Sequence, residues 1–127
     1  MLKIDLRSRT PIYEQIIDSV KEMVVKEVLQ PGEKLPSVRE LAKLMTLNPN
    51  TVQKSYQELE RQGIICSVRG KGTFISEDVR IKDKKIKVET LMENIRKLIV
   101  EAIVLGLSKE DLLSRIGKIY DEIMTKE

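Results

Sequence analysis

Apolar side chains recur every three or four residues along five segments of the chain, and each segment predicts a helix. The first helix is expected over about residues 11–29, with Pro11 at its first position and Thr10 as its N-cap. It carries two neighbouring apolar stripes, so we expect it to contact two partners rather than one. Before it, residues 1–7 alternate apolar and charged side chains, which is typical of a short strand or an arm.

The next two helices are short and lie close together in the sequence. Ser37-Val-Arg-Glu is a capping box that begins a helix over about residues 38–45. Asn48 is the expected N-cap of the following helix, with Pro49 at its first position, and Gly63 ends it. Two helices this short, with only about three residues between them, are too small for a bundle and have the size of a helix-turn-helix.

Residues 64–75 then predict a β-hairpin, which would form a wing after the helix-turn-helix. Its turn is Arg69-Gly70-Lys71-Gly72, in which the glycines favour positive φ and the basic residues offer charge. The spacing is not that of a nucleotide-binding loop, because Ile75 occupies the third glycine position and no helix follows. A winged helix-turn-helix presents the start of its second helix to a DNA groove.

Polar side chains without acidic neighbours cover the outer face of that second helix. Its inward positions have helical spacing and are Val52, Ser55, Tyr56 and Leu59. Its outward positions in the first turns are Asn50, Thr51, Gln53 and Lys54. Because Asn and Gln pair with adenine, Thr with a base or methyl group, and Lys with guanine or phosphate, we expect these four residues to contact DNA.

The remaining predicted DNA contacts are Arg39 and the wing turn. Arg39 faces outward from the first short helix and is expected to bind the DNA backbone; the simpler interpretation is a solvated surface charge. Arg69, Gly70, Lys71 and Gly72 are expected to approach the minor groove; alternatively they form an ordinary hairpin turn. Thr51 has a similar alternative as a local helix-capping residue. Cys66, on the first wing strand, is expected to be buried as a small apolar side chain.

Residues 77–87 predict a charged linker between a DNA-binding domain, residues 1–76, and a two-helix tail, residues 88–127. Gly106 separates the tail helices, and both carry long apolar stripes that two helices alone cannot cover. We therefore expect a second copy of the chain to cover them. The predicted dimer contacts are Leu91, Ile95, Leu98, Ala102, Ile116, Ile119 and Ile123. The fold class is mostly α with a small β-hairpin wing: a winged helix-turn-helix plus a C-terminal helical hairpin.

Composition narrows the function further. The 127 residues include no His and one Cys, which argues against His-based catalysis, His-rich metal sites and an internal disulfide. No catalytic residue, metal or cofactor is therefore expected. The net charge of +3 lies entirely in residues 1–76, which carry 12 Lys and Arg against 9 Asp and Glu. With no apolar run long enough to span a membrane and no signal peptide pattern, a cytoplasmic location is expected.

Four sequence blocks together resemble the GntR family of bacterial transcription regulators. They are Pro11-Ile12-Tyr13-x-Gln15-Ile16, Pro31-Gly32-x-Lys34-Leu35-Pro36-Ser37-x-Arg39-x-Leu41-Ala42, Asn50-Thr51-Val52-x-Lys54-x-Tyr56-x-x-Leu59-Glu60-x-x-Gly63 and Arg69-Gly70-Lys71-Gly72-Thr73-Phe74. The short tail resembles the YtrA subfamily. The resemblance implies a homodimeric winged helix-turn-helix repressor. The chain differs from many relatives at Pro49, where they carry a basic residue, so base preference does not transfer.

The sequence thus predicts a regulator, rather than an enzyme, that binds a double-stranded, palindromic DNA operator as a homodimer. One alternative is an effector-gated regulator with a small ligand at the dimer seam. Another is a protein-interaction adaptor that uses the winged helix as a scaffold without binding DNA.

Overall fold

The computed structural model describes residues 2–77 and 84–125, which form two compact units, one on either side of residues 78–83. The first unit contains three helices and three strands, and the second contains two helices. In chain order the elements are α1 (Ile12–Val25), β1 (Lys34–Leu35), α2 (Val38–Met45), α3 (Pro49–Arg61), β2 (Ile65–Val68), β3 (Gly72–Ile75), α4 (Lys84–Val104) and α5 (Lys109–Met124).

The first unit has one apolar core, built by its three helices and closed by its sheet. The four inward positions expected on α3 are all buried, which confirms the predicted face of that helix. Such a face forms because residues at i, i+3, i+4 and i+7 lie on one side of a helix. The core residues are Ile16, Ile17, Val20, Leu35, Leu41, Ala42, Val52, Tyr56, Leu59, Ile65 and Ile75.

The sheet is antiparallel with the strand order β1-β3-β2. The predicted hairpin is confirmed as β2 and β3, paired from Ile65 opposite Ile75 to Val68 opposite Gly72. Strand β1 was not predicted, because two residues are too few to show an alternating pattern. It pairs Lys34 with Phe74 and so joins the segment before α2 to the wing.

The caps of α2 and α3 are as predicted. The Ser37 hydroxyl accepts from the Glu40 amide at 3.1 Å, and the Glu40 carboxylate accepts from the Ser37 amide at 3.3 Å. The Asn48 side chain accepts from the Asn50 amide at 2.8 Å. The turn between these helices contains Thr46 at φ +54° and ψ +50°, a left-handed conformation that is costly for a β-branched side chain.

Helix α1 differs from the prediction at both ends. Pro11 is its N-cap, with no side-chain cap, so the expected capping by Thr10 is wrong. The helix ends at Val25 rather than near residue 29. Glu27 takes φ +60°, and the amides of Glu27 and Val28 donate back to carbonyls of the last turn. This is the geometry that usually marks a helix C-terminus at glycine, and no glycine signals it here.

The second unit consists of α4 and α5, joined at Gly106 with Ser108 as the N-cap of α5. Helix α4 begins at Lys84, four residues inside the predicted linker 77–87, because Lys84-Lys85-Ile86-Lys87 contains good helix formers and no breaker. Residues 78–83 of that linker lie outside the described residues. In the part of the chain that the structure describes, no helix has the length and apolar character needed to cross a bilayer.

Candidate nucleic-acid interface

The outer face of α3 is polar, open and free of acid over its first two turns. Asn50, Gln53 and Lys54 are exposed, as predicted, while Thr51 is half-buried. The absence of an acidic side chain in the first turn leaves the positive end of the helix dipole uncompensated. The face is therefore suited to acceptor-rich base edges and to phosphates.

Two side-chain hydroxyls fix α3 against neighbouring elements from inside. Ser55 is fully buried, and its hydroxyl lies 3.0 Å from the Tyr13 carbonyl on α1 and 3.1 Å from the Thr51 carbonyl. The Tyr56 hydroxyl donates to the Pro36 carbonyl at 2.7 Å, just before the N-cap of α2. Burial of the Tyr56 ring raises its pKa to about 12. Since hydrogen bonds are directional, these bonds define the rotation of α3 about its axis.

Lys54 is positioned by an aromatic ring that the sequence did not reveal. Its ammonium nitrogen lies 3.8 Å from the centre of the Tyr13 ring, which is a cation–π contact. The partners are 41 positions apart in the sequence, so no local pattern could predict the contact. Lys54 is thus held at the edge of the polar face, next to the start of α1, rather than moving freely in solvent.

The C-terminal end of α3 carries a charge network one turn beyond Lys54, on the same side of the helix. Glu58 accepts hydrogen bonds from Arg61, including one from Nε at 2.8 Å, and from Gln62 Nε2 at 3.0 Å. Hydrogen bonding to Arg61, and then to Gln62, lowers the pKa of Glu58 to about 2. This carboxylate therefore stays charged at neutral pH and is paired with Arg61.

The wing presents its predicted turn to solvent. Arg69, Gly70, Lys71 and Gly72 are all exposed, and the Lys71 amide donates to the Val68 carbonyl at 2.9 Å. Gly72 has φ +123°, and a Cβ built on it would meet the Lys34 side chain at 2.9 Å. Glycine is thus favoured there by the backbone conformation, whereas the end of the flexible Lys34 side chain could move away from a methyl group.

Cys66 is exposed on β2, so the expectation of a buried thiol is wrong. Strand β2 buries only its first residue, and the alternation of a strand sends Cys66 to the face opposite Ile65. Arg39 is exposed on α2, as predicted.

The first residues of the chain form an anchored arm, one of the two forms expected for them. Gln15 on α1 holds the arm: its Nε2 donates to the carbonyls of Asp5 at 2.9 Å and Thr10 at 2.8 Å, and its Oε1 accepts from the Asp5 amide at 2.7 Å. Ser19 accepts from the Lys3 amide at 3.3 Å. The sequence contained Gln15 within a family block, but its role depends on contacts that only the fold creates.

The tail exposes most of the apolar side chains expected at a dimer interface. Ile95 is half-buried, Ala102 is buried within the single chain, and the other five predicted positions are exposed. Helices α4 and α5 pack on each other too little to cover these faces. An open depression on α4 is lined by Met92, Ile95, Ile99 and Ile103 among others. Within a single chain, the described residues of the tail therefore leave a large apolar surface exposed.

Comparison with known proteins identifies the family of this chain. A sequence profile described as bacterial regulatory proteins, gntR family, matches residues 12–75. The HTH-type transcriptional repressor YtrA of Bacillus subtilis (strain 168) is 47% identical over 123 residues, which are 97% of this chain and 95% of the relative. The family and its relatives are transcription regulators, so the expectation of a non-enzymatic protein is confirmed.

Solved structures share the architecture. A crystal structure of a transcriptional antiterminator from Listeria monocytogenes EGD-e is 41% identical with a TM-score of 0.91, covering 100% of this chain and 95% of the other. YtrA from Sulfolobus acidocaldarius, a GntR-family transcription factor, is 36% identical with a TM-score of 0.54, covering 97% and 99%. The predicted winged helix-turn-helix fold is thereby confirmed.

Proposed function

We propose that this chain, which belongs to the gntR family of bacterial regulatory proteins, is a homodimeric repressor of a palindromic operator. The family assignment shows a transcription regulator with a DNA-binding domain, and the proposal proceeds from it. The observation that carries the proposal is the acid-free polar face of α3, held in a fixed rotation by Ser55 and Tyr56. The protein would act in the cytoplasm, where bacterial DNA lies.

In this proposal the start of α3 reads bases. Asn50, Thr51 and Gln53 contact base edges in the major groove, and Lys54 reaches guanine or phosphate from the Tyr13 ring. Thr51 lies on this face and is half-buried, so only part of its side chain is open to contact a base. Thr51→Ala should weaken binding to the operator by about 1–3 kcal/mol, with most of the loss at one or two base positions.

Arg39 and the wing turn supply backbone contacts. Arg39 lies exposed on α2, and Arg69 and Lys71 lie exposed on the wing. Arg39→Ala should weaken operator binding by about 1–3 kcal/mol. Lys71→Ala should reduce affinity evenly for all sequences and lower the salt slope by about one for each subunit that binds. All of these side chains project from elements whose core residues are unchanged, so melting temperatures should barely move.

The tail makes the dimer in this proposal. Leu98 is 61% exposed on the stripe that also contains Leu91 and Ile95, whereas Val104 is 79% exposed on another side of the same helix. Leu98→Glu should convert the dimer into monomers and weaken binding to a palindromic duplex, because burying a charge at an interface is costly. Val104→Glu is the matched control and should leave the dimer intact. Sedimentation velocity distinguishes them, and equal behaviour of the two variants would refute the assignment.

The experiment that tests the whole proposal is selection of bound duplexes from random or genomic DNA. A palindromic consensus is expected, with half-sites about one helical turn apart. Anisotropy titrations of the recovered duplex at several salt concentrations then separate DNA binding from the adaptor alternative, which predicts no counterion-release slope. Recovery of no enriched sequence by the dimeric protein would contradict the proposal.

One observation favours the effector-gated alternative. It places the ligand site in the first unit, however, and not at the dimer seam. A half-open cavity of about 610 Å³ is lined by residues of α1, β1, α2 and α3, and its volume is within the usual range of small-ligand sites. Its walls include Val20, Leu29, Leu35 and Tyr56, so a ligand there would press on both α3 and the wing. A ligand that raises the melting temperature should lose this effect in Leu29→Trp, which narrows the cavity. An unchanged shift in Leu29→Trp would exclude this cavity.

A further inference from the structure

The arm before α1 carries two arginines in a closed loop. The loop runs from Asp5 to Thr10, and the Gln15 side chain holds both ends of it through three hydrogen bonds. Inside the loop, the Arg7 amide donates to the Asp5 carboxylate at 2.9 Å, and the Thr10 amide donates to the Ser8 hydroxyl at 3.1 Å. The backbone of this loop is therefore ordered before any partner binds.

Both guanidinium groups of this loop are available to a partner. Arg7 and Arg9 are exposed, and among the described residues neither side chain has a hydrogen bond or an ion pair. The acid within the loop is Asp5, whose carboxylate already accepts the Arg7 amide. On α1 the nearest acid is Glu14 in the first turn, whose carboxylate accepts from the Tyr13 hydroxyl at 3.3 Å; Asp18 and Glu22 lie roughly two and three turns from the helix start.

Helix α1 places this loop on the same side of the domain as the start of α3. Tyr13 contacts Lys54 and Ser55, while Lys21 faces Glu58, so the two helices run side by side in the same direction. Tyr13 is one residue from the start of α1, whereas Ser55 is six residues from the start of α3. At 1.5 Å per residue, α3 therefore extends roughly 8 Å beyond the start of α1.

That offset matches the dimensions of DNA. The major groove is about 8.5 Å deep and about 12 Å wide. If α3 enters the groove with its N-terminal end first and that end reaches the groove floor, the start of α1 is level with the phosphates. The axes of packed helices lie about 8–10 Å apart, which is more than half the width of the groove. The start of α1 would therefore lie over the edge of the groove.

We propose that Arg7 and Arg9 form a third DNA-contact element, which binds backbone phosphates beside the major groove that α3 enters. This proposal rests on the proposed function and adds to the contacts of α3 and the wing. Because the loop is ordered in the free protein, these contacts cost little backbone entropy on binding. They carry no base specificity, since phosphates are the same at every sequence.

The test compares the double variant Arg7→Gln/Arg9→Gln with Lys97→Gln/Lys118→Gln. The control removes the same charge from exposed sites on α4 and α5. Anisotropy titrations use the duplex recovered by selection and an unrelated duplex of equal length, each at several salt concentrations. The arm variant should lower the salt slope by about 1.8 for each subunit, or about 3.6 for the dimer on its palindromic site, since each lost phosphate contact contributes about 0.9. Affinities for both duplexes should fall by the same factor, with an unchanged melting temperature.

The outcomes are distinguishable. If the wild-type protein binds the selected duplex and the arm variant keeps the slope of the control, the arm proposal is overturned while the proposed function stands. A loss confined to the selected duplex would also overturn it, because phosphate contacts cannot favour one sequence. If the wild-type protein enriches no duplex, the proposed function itself fails.

Discussion

Tyr56→Phe should destabilise the protein at neutral pH and stabilise it at high pH. The Tyr56 ring is 6% exposed, and its hydroxyl donates to the Pro36 carbonyl at 2.7 Å. Removing the hydroxyl deletes this bond and leaves the ring packing intact. A net cost of about 1 kcal/mol is expected at pH 7, because one buried hydrogen bond contributes about that much. In a domain of this size the melting temperature should fall by about 4–8 °C.

The sign reverses because burial raises the pKa of Tyr56 from 10.0 to about 12. Above pH 10 the unfolded chain loses the phenolic proton while the folded chain keeps it, so the wild-type protein loses stability as pH rises. The loss is about 1.4 kcal/mol per pH unit until the folded pKa is reached. Phe has no such proton. The free energies of unfolding of the two proteins should therefore cross near pH 11.

Urea unfolding followed by circular dichroism between pH 7 and pH 11.5 measures this crossing. Both proteins are compared at one protein concentration, since unfolding of a dimer depends on it. Titration of lysines and of the other tyrosines affects both proteins equally and cancels in the difference. Tyr120→Phe is the control for loss of a tyrosine hydroxyl, because Tyr120 is 67% exposed on α5 and its substitution should cost little stability at pH 7. A difference between wild type and Tyr56→Phe that stays constant from pH 7 to pH 11.5 would refute the reasoning.

Three further changes test local backbone features by thermal unfolding. Thr46→Gly should be neutral or stabilise by up to about 1 kcal/mol, because it relieves a left-handed β-branched residue at the cost of a more flexible unfolded chain; clear destabilisation would contradict this. Ser37→Ala should cost about 1 kcal/mol, since it removes the capping box of α2. Gly72→Ala should destabilise more than Gly70→Ala, because φ +123° at Gly72 lies far outside the left-handed region that other residues adopt, whereas φ +77° at Gly70 lies close to it; the reverse order would show that the wing turn rearranges freely.

Local signals explain what the sequence predicted well. Helix α2 begins after the capping box at Ser37, and α3 begins after Asn48 with Pro49 at its first position. Each of these start signals involves only residues close together in the sequence, so the sequence predicts both helix starts. The inward face of α3 was found because one side of a buried helix must be apolar or paired. The exposed polar residues of α3 then follow as the opposite face.

Contacts between distant segments explain what the sequence did not predict. Strand β1 exists only because Lys34 pairs with Phe74, forty positions away. The Lys54 ammonium lies over the Tyr13 ring because α1 and α3 pack side by side, and Cys66 is exposed because β2 buries only its first residue. The end of α1 was missed for a different reason: Glu27 adopts a conformation that glycine normally signals.

The contacts between distant segments also determine how the protein holds the proposed DNA-contact face of α3. Periodicity predicts which face of α3 is outward, to within about one residue step of 100°. Recognition of a base edge needs the rotation of the helix to be defined more closely than this. The reason is that a hydrogen bond weakens steeply when its donor–hydrogen–acceptor angle falls below about 120°. The structure defines the rotation through Ser55, which bonds back to α1, and Tyr56, which bonds to the segment before α2. The adjacent residues point in directions about 100° apart, so together they resist rotation of α3 in both senses. The polar atoms buried in this core therefore orient the proposed DNA-contact face of α3, because their hydrogen bonds are directional whereas apolar contacts are not.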